Sequence, residues 1–326
     1  GSSVTLKGVT TMTDESMYGI VTPVSQDESA GYVGGKYEVD KNVVSDKALR
    51  TIGAVRRAGR FIMAGMDAPL YPDSNDENVW AHWSRGNYGP GDWSGSHNDL
   101  AAGVDLYHTD HSRAGISVMH TNSSLDRTEN LGEVSMKKKF TRVSLYGRHD
   151  FAGGLHAAGD VFAGGIRIKD TSLVDMSTRT AGVHAEVCVD VPAGRGTITP
   201  LVRAAYAGIR GFTTKDGKGF PFTMKESHYS SFSAGLKASL PLSPVSLLTA
   251  YAGWGIRTGY DIDGTMSDAW NTMDISESGK EHVKTLGIGY RCDVTPFARL
   301  SLSAAREFSS GLHDDWNFQV SAAYKF

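Results

Sequence analysis

Over residues 315–326 apolar and polar side chains alternate one for one. Trp316, Phe318, Val320, Ala322, Tyr324 and Phe326 fall on one side, and Asn317, Gln319, Ser321, Ala323 and Lys325 on the other. A period of two is that of a β-strand with one apolar face. About twelve runs of this kind begin near Val79, Leu100, Ala114, Arg142, His156, Thr180, Ile198, Tyr229, Leu247, Lys280, Ala298 and Asp315. In one, Ala181, Val183, Ala185, Val187 and Val189 stand opposite Gly182, His184, Glu186, Cys188 and Asp190. In another, Phe232, Ala234, Leu236, Ala238 and Leu240 stand opposite Ser231, Ser233, Gly235, Lys237 and Ser239. Over 155–168 the pattern leaves open which face is which. Residues 238–256 carry no charge and are long enough for a transmembrane helix, but Pro241 and Pro244 divide them into two strands and a turn.

The connections alternate in length. Short ones fall at 108–112, 151–154, 192–195, 241–244 and 295–297. Longer ones fall at 88–99, 122–138, 169–179, 211–227 and 258–279, with a brief one at 310–314. An up-and-down barrel whose two rims face different compartments produces that alternation, and a Greek-key sandwich does not. The faces opposite the apolar ones carry Asp105, Arg148, Glu186, Asp190, Arg203, Lys237, Arg257 and Arg291, too many charges for a dry core. The apolar faces therefore point to lipid and the charged ones to a wet lumen. Trp83, Tyr206, Trp254, Tyr290, Trp316 and Tyr324 lie toward strand ends on the lipid side, as an interfacial aromatic girdle requires. The fold expected is all-β, an antiparallel transmembrane barrel of about twelve strands over 77–326.

A different period precedes the strands. Residues 43–66 predict a helix, with Ser45 as N-cap and Asp46 in its first turn, stopped by Pro69 and Pro72. Asp46, Arg50, Gly53, Arg57 and Arg60 make one stripe, and Leu49, Ile52, Val55, Phe61 and Ile62 lie elsewhere. At ~1.5 Å per residue the helix would be ~35 Å long, close to a bilayer core. Arg50, Arg56, Arg57 and Arg60 make it unfit for lipid, so 43–68 is expected to span the barrel lumen as a slim basic plug. Gly253 and Gly255 face inward on one strand, Gly287 and Gly289 on the next, and Gly235 on the strand before. They would clear a smooth patch of wall for that helix, although bulges or sharp curvature would also call for glycine. Residues 1–42 are polar and irregular, with short strand signals at 4–6 and 37–39 and a linker-like stretch at 26–35. They read as a linker or the stump of a larger upstream domain.

Composition narrows this little. The 326 residues carry a net charge of −3, with no basic excess to hold nucleic acid. Mean hydropathy of −0.27 suits apolar positions diluted by alternation. The two cysteines, Cys188 and Cys292, fall on non-adjacent strands and opposite faces, so free thiols are expected. The start, Gly1-Ser2-Ser3, shows no secretion signal and suggests a fragment cut from a longer precursor.

A basic helix, about twelve strands and a terminal aromatic, in that order, resemble the translocator domain of autotransporters, the type V secretion β-domain. The resemblance covers 43–326. It rests on the helix, on Val79-Trp80-Ala81-His82-Trp83, on Gly103-Val104-Asp105, and on the ending Val320 to Phe326. It implies a monomeric outer-membrane pore plugged by its own helix, with a passenger domain carried to the cell surface. It also implies that Trp316, Phe318, Val320, Tyr324 and Phe326 form the signal read by the barrel assembly machinery. No cofactor or metal is implied.

Some members of that family cut their own passenger at an asparagine in or before the helix, helped by lumenal acids. Here the candidates are Asn42 with Asp105, Glu186 and Asp190. Val43 follows Asn42 where a second asparagine would complete the signature, so these acids read better as counter-charges for Arg50, Arg57 and Arg60. The alternatives to a translocator are a plain porin or adhesin barrel, and a barrel hydrolase. A rim hydrolase would draw on His313-Asp314-Asp315, and a lipid-face one on His120 or His282, for which no serine partner is evident. His108, Asp110 and His111 share one turn without a fourth ligand, and Asp261-Ile262-Asp263-Gly264 lacks the rest of a calcium loop.

Overall fold

Strands that face lipid on one side and water on the other have no stable edge to leave open, so the sheet must close on itself. In the computed structural model, which describes residues 9–11, 16–22, 24–26, 33–35, 38–72, 77–89, 93–129, 132–170, 175–214, 219–259 and 262–325, it does. The barrel strands are β1 (Val79–Gly89), β2 (Trp93–His108), β3 (Ser112–Glu129), β4 (Gly132–Asp150), β5 (Leu155–Asp170) and β6 (Asp175–Val189), followed by β7 (Gly196–Ile209), β8 (Ser227–Ser243), β9 (Ser246–Thr258), β10 (Lys280–Asp293), β11 (Ala298–Phe308) and β12 (His313–Tyr324). Each pairs antiparallel with its sequence neighbour, and β12 closes on β1 with Tyr324 opposite Val79 and Val320 opposite Trp83.

The expected faces are found. Trp83, Tyr206, Trp254, Tyr290, Trp316 and Tyr324 all point outward, as do Leu100, Val143, Val161, Phe232, Leu286 and Ile288. Cys188 and Cys292 are free. On β5 the odd positions are outward from Val161 on, and Asp160, Phe162, Ile166 and Ile168 are inward and buried.

The long connections are shorter than the sequence suggested. β3 runs on to Glu129 and β4 starts at Gly132, so most of 122–138 is strand. The same holds for much of 88–99 and 169–179. Only 211–227 and 258–279 remain long, and they are not loose. Phe212–Thr213, Phe222–Met224, Ile262–Ser267 and Thr272–Glu277 form a four-stranded sheet over the long-connection end of the barrel.

The helix α1 spans Asp46–Met63, about 27 Å. Ser45 caps it, its Oγ accepting from Ala48 N at 3.2 Å. It ends earlier than Pro69 would require, because Gly65 takes φ +81, the left-handed conformation that terminates helices. Ahead of α1, 9–11, 18–22 and 38–44 make a three-stranded sheet. Residues 24–26 pair with 33–35, so the stretch taken as linker contains a hairpin. The strand signal at 4–6 lies outside the described residues.

Candidate functional site: the occupied lumen

Whatever this barrel does depends on what fills it. The apolar side of α1, with Ala54, Val55, Ala58, Phe61, Ile62 and Met63, is buried against inward Phe140, Phe162, Ile166 and Ile168 of β4 and β5. From above it meets Phe222, Ile262 and Met266 of the covering sheet. The approach is close enough that a Cβ on Gly59 would stand 2.2 Å from Ile262 Cδ1. Phe220 N donates to Thr51 Oγ1 at 3.2 Å, and Lys47 Nζ lies 4.7 Å from the Phe220 ring. The helix thus occupies the outer part of the lumen, under its lid. Its amino-terminal end is at the long-connection rim: Ser45 N donates to Met17 O, and Met17 N to Asp268 Oδ2 of the covering sheet's turn. Burial, then Asp268 and Asp274, push the neighbouring Tyr18 phenol up from its ordinary pKa.

The rest of the lumen holds non-helical chain, described over 64–72 and 77–78, which begins as a turn at 64–67. It is held at successive levels by inward side chains. Lys138 Nζ donates to Phe61 O at 2.8 Å and Ala64 O at 2.7 Å, a cation on the last carbonyls of α1 where the helix dipole is negative. His184 bridges Met66 O and Asp160 Oδ1. Arg257 joins Asp67 to Glu307, at 2.7 and 3.0 Å. Arg142 donates to Ala68 O, Leu70 N donates to Asp160 Oδ2, and Ser117 Oγ donates to Leu70 O. At the short-turn rim Arg113 and Arg299 hold Glu77, and Asn78 N donates to Tyr324 O. Non-helical backbone inside a membrane is tolerated only where its polar groups find such partners.

Several expected roles are corrected. Of the helix arginines Arg57 is the buried one, 3.9 Å from Asp170. Arg56 and Arg60 are half exposed and both meet Glu277, and Arg50 is exposed. The counter-charges of the helix are therefore Asp170 and Glu277. Asp105 instead accepts from Arg113 and Tyr146, Glu186 from Arg203, and Asp190 from Thr199. The inward glycines do not frame the helix. A Cβ on Gly235 would strike the Tyr251 ring at 2.6 Å, and one on Gly253 its hydroxyl at 2.2 Å. One on Gly289 would strike Thr249 Oγ1, one on Gly255 would meet β8, and Gly287 has Ala304 and Ala305 beside it. Gly235 and Gly253 make room for Tyr251, over which Arg203 lies at 5.8 Å.

Asn42 and the three acids are not brought together. Asn42 is exposed on the strand Glu38–Val44, at the rim where α1 enters. Asp105 and Asp190 lie at the short-turn rim, near the ends of β2 and β6. The rim and surface histidines are also engaged otherwise. His313 Nδ1 meets Gly311 O, Asp315 pairs with Arg306, and Asp314 with His97. His120 meets Thr141, and His282 stacks on Trp254. His97, between Asp99 and Asp314 at 2.8 and 2.9 Å, ties β2 to β12 across the closing seam and went unnoticed in the sequence. No cluster fit to hold a metal is present among the described residues. Phe326 lies outside them, and Trp316, Phe318 and Tyr324 face outward.

The comparisons agree with this geometry. A family model described as "Autotransporter beta-domain" matches residues 78–305. Among solved structures, the chain is similar to the transport unit of AIDA-I from Escherichia coli, at 17% identity and TM-score 0.63 over 83% of this chain and 99% of that one. It is similar to the β-domain of the Bordetella autotransporter BrkA, at 15% identity and TM-score 0.59 over 77% and 100%. The translocator domain of NalP from Neisseria meningitidis follows at 16% identity and TM-score 0.56, over 84% and 98%. A search of curated sequences found no match.

Proposed function

We propose, from the premise that the chain belongs to the autotransporter β-domain family, that residues 46–78 are the stationary end of a completed export. The protein is an outer-membrane translocator domain of a Gram-negative bacterium, anchoring an N-terminal passenger and exporting it to the cell surface. One observation carries the proposal. Both ends of the barrel, Val79 and Tyr324, sit on the short-turn rim, which is periplasmic in such barrels. The chain before Val79 crosses the lumen and leaves by the opposite rim, where Met17 meets Asp268. Residues 1–42 are then a linker outside the pore, 43–68 its plug, and 77–326 the wall.

An epitope placed ahead of Val9 in cells making the chain with a secretion signal should be cut by protease added outside. An epitope protected in intact cells and cut only after the outer membrane is opened would sink this reading and favour a plain barrel. We further propose that the chain works as a monomer, that its last strand is read by the barrel assembly machinery, and that it does not cut itself. The separation of Asn42 from Asp105 and Asp190 supports the last point. The mass of the protein should stay unchanged during prolonged incubation after folding, and Asn42→Ala should alter nothing. A fragment beginning at Val43 in the wild type and absent from the variant would refute it.

A further inference from the structure

We propose that the outward face of β4, β5, β6 and the end of β7 is a binding surface for the phosphates of an outer-leaflet glycolipid. Lys137 and Lys139 on β4, Arg167 and Lys169 on β5, Arg179 on β6, and Arg210 just past β7 are all exposed. Their parity is that of the lipid-facing residues below them. Val143 and Leu145 continue the row of Lys137 and Lys139, Val161 and Ala163 that of Arg167 and Lys169, and Val183 that of Arg179. The cations thus crown an apolar wall. Arg179 lies four residues above Val183, the partner of girdle Tyr206, or about 13 Å along the strand. That places it at the depth of polar headgroups rather than of acyl chains.

The register makes the arrangement costly without an anion. Lys139 is directly opposite Arg167, and Lys137 directly opposite Lys169. Like charges so placed, with Cβ atoms about 5 Å apart, destabilise a sheet. Arg210 N donates to Arg179 O, which sets those two side by side as well. Among residues whose side chains are described, the carboxylates on this face are Asp175, 3.2 Å from Arg167 and 3.5 Å from Lys169, Asp126 at its β3 margin, and Glu226 at its β8 margin, next to Ser227, the partner of Ile209. Six cations face three carboxylates, two of them at the margins. The inward residue of the same run, Lys138, belongs to the helix, so three consecutive lysines split between two tasks by parity alone. A ligand with several phosphates and several acyl chains matches both the cation cluster and the apolar rows beneath it, and juxtamembrane cations each strengthen attraction to anionic lipid.

Full-chain protein folded in detergent is titrated with lipopolysaccharide, with the same lipid dephosphorylated, and with inorganic phosphate, and retained lipid is counted by native mass spectrometry. The wild type should retain intact lipopolysaccharide at least tenfold better than the dephosphorylated form, and millimolar phosphate should not displace it. Lys139→Gln, Arg167→Gln and Arg179→Gln combined should lose tenfold or more. Lys284→Gln with Arg306→Gln, exposed cations on β10 and β11, should lose little. Equal retention by the triple variant, equal retention of dephosphorylated lipid, or displacement by phosphate would each overturn the proposal. Heat-modifiable migration confirms that a variant is folded, and the dephosphorylated arm needs no variant.

Discussion

Lys138 shows how one inward cation can decide the state of the lumen. Its ammonium is buried and spends two donors on Phe61 O and Ala64 O, with the Phe61 ring 4.9 Å away. Lys138→Met keeps much of the stem but strands both carbonyls. Charge-assisted bonds of this kind are worth roughly 1.5–3 kcal/mol each when their partner is left unpaired. The loss should total about 3 kcal/mol, felt first as local opening of α1. Hydrogen exchange at the last turn, 60–64, should accelerate by about a hundredfold while the barrel strands stay protected. Unchanged exchange there would mean that apolar packing alone seats the helix. Nothing in the sequence singled out this residue, because 137–139 is three lysines and parity matters only once the strand's extent is known. Tyr251 hid in the same way. Its glycine partners are visible in the sequence, but not whether a helix or a ring fills the space they leave.

At the level of elements, the strands were legible and their ends were not. Inside the bilayer one face meets hydrocarbon and the other water, so alternation is enforced and twelve runs stood out. Past the membrane both faces are polar. Asn122, Ser123, Ser124 and their neighbours then read as loop although they continue β3. On β5 the signal failed for the opposite reason: Phe162, Ile166 and Ile168 are inward yet apolar, because that wall meets α1 and not water. The helix was visible from its cap and its stripe, but the stripe misled. An arginine facing lumen water and one facing an acidic partner look alike in sequence, and only Arg57 proved buried. Two segments therefore block the pore, and they can be separated. Removing 46–63 should raise single-channel conductance in a planar bilayer only partly, because Asp67, Ala68 and Leu70 remain tied to Arg257, Arg142 and Asp160. Removing 46–72 should open it severalfold further. Equal conductance for the two deletions would show that 64–72 does not occlude the pore.

For the whole molecule, the last strand must do two things that the fold allows to be told apart. Residues 316–324 close the barrel, pairing with β1 from Asn87 down to Val79 and with β11 from Ala305 down to Ala298. Phe326 follows the last of those pairs, Tyr324 with Val79, and Lys325 N donates to Phe297 O between them. A defect caused by lost ladder bonds should accordingly track 316–324, and a defect in recognition should track Phe326. Deleting Phe326 should leave refolding into detergent at the wild-type yield and midpoint, because every described strand pair of β12 is kept. In cells the same deletion should lower the heat-modifiable, membrane-borne fraction several-fold. Val320→Asp, which puts a carboxylate on the lipid face opposite Trp83, should impair both, since a carboxylate there is destabilising, though by less than the roughly 2–4 kcal/mol that a Lys or Arg costs at the midplane. If Phe326 deletion depressed refolding in detergent as much as insertion in cells, the residue would act through barrel stability, and the address would have to lie in Trp316, Phe318 and Tyr324.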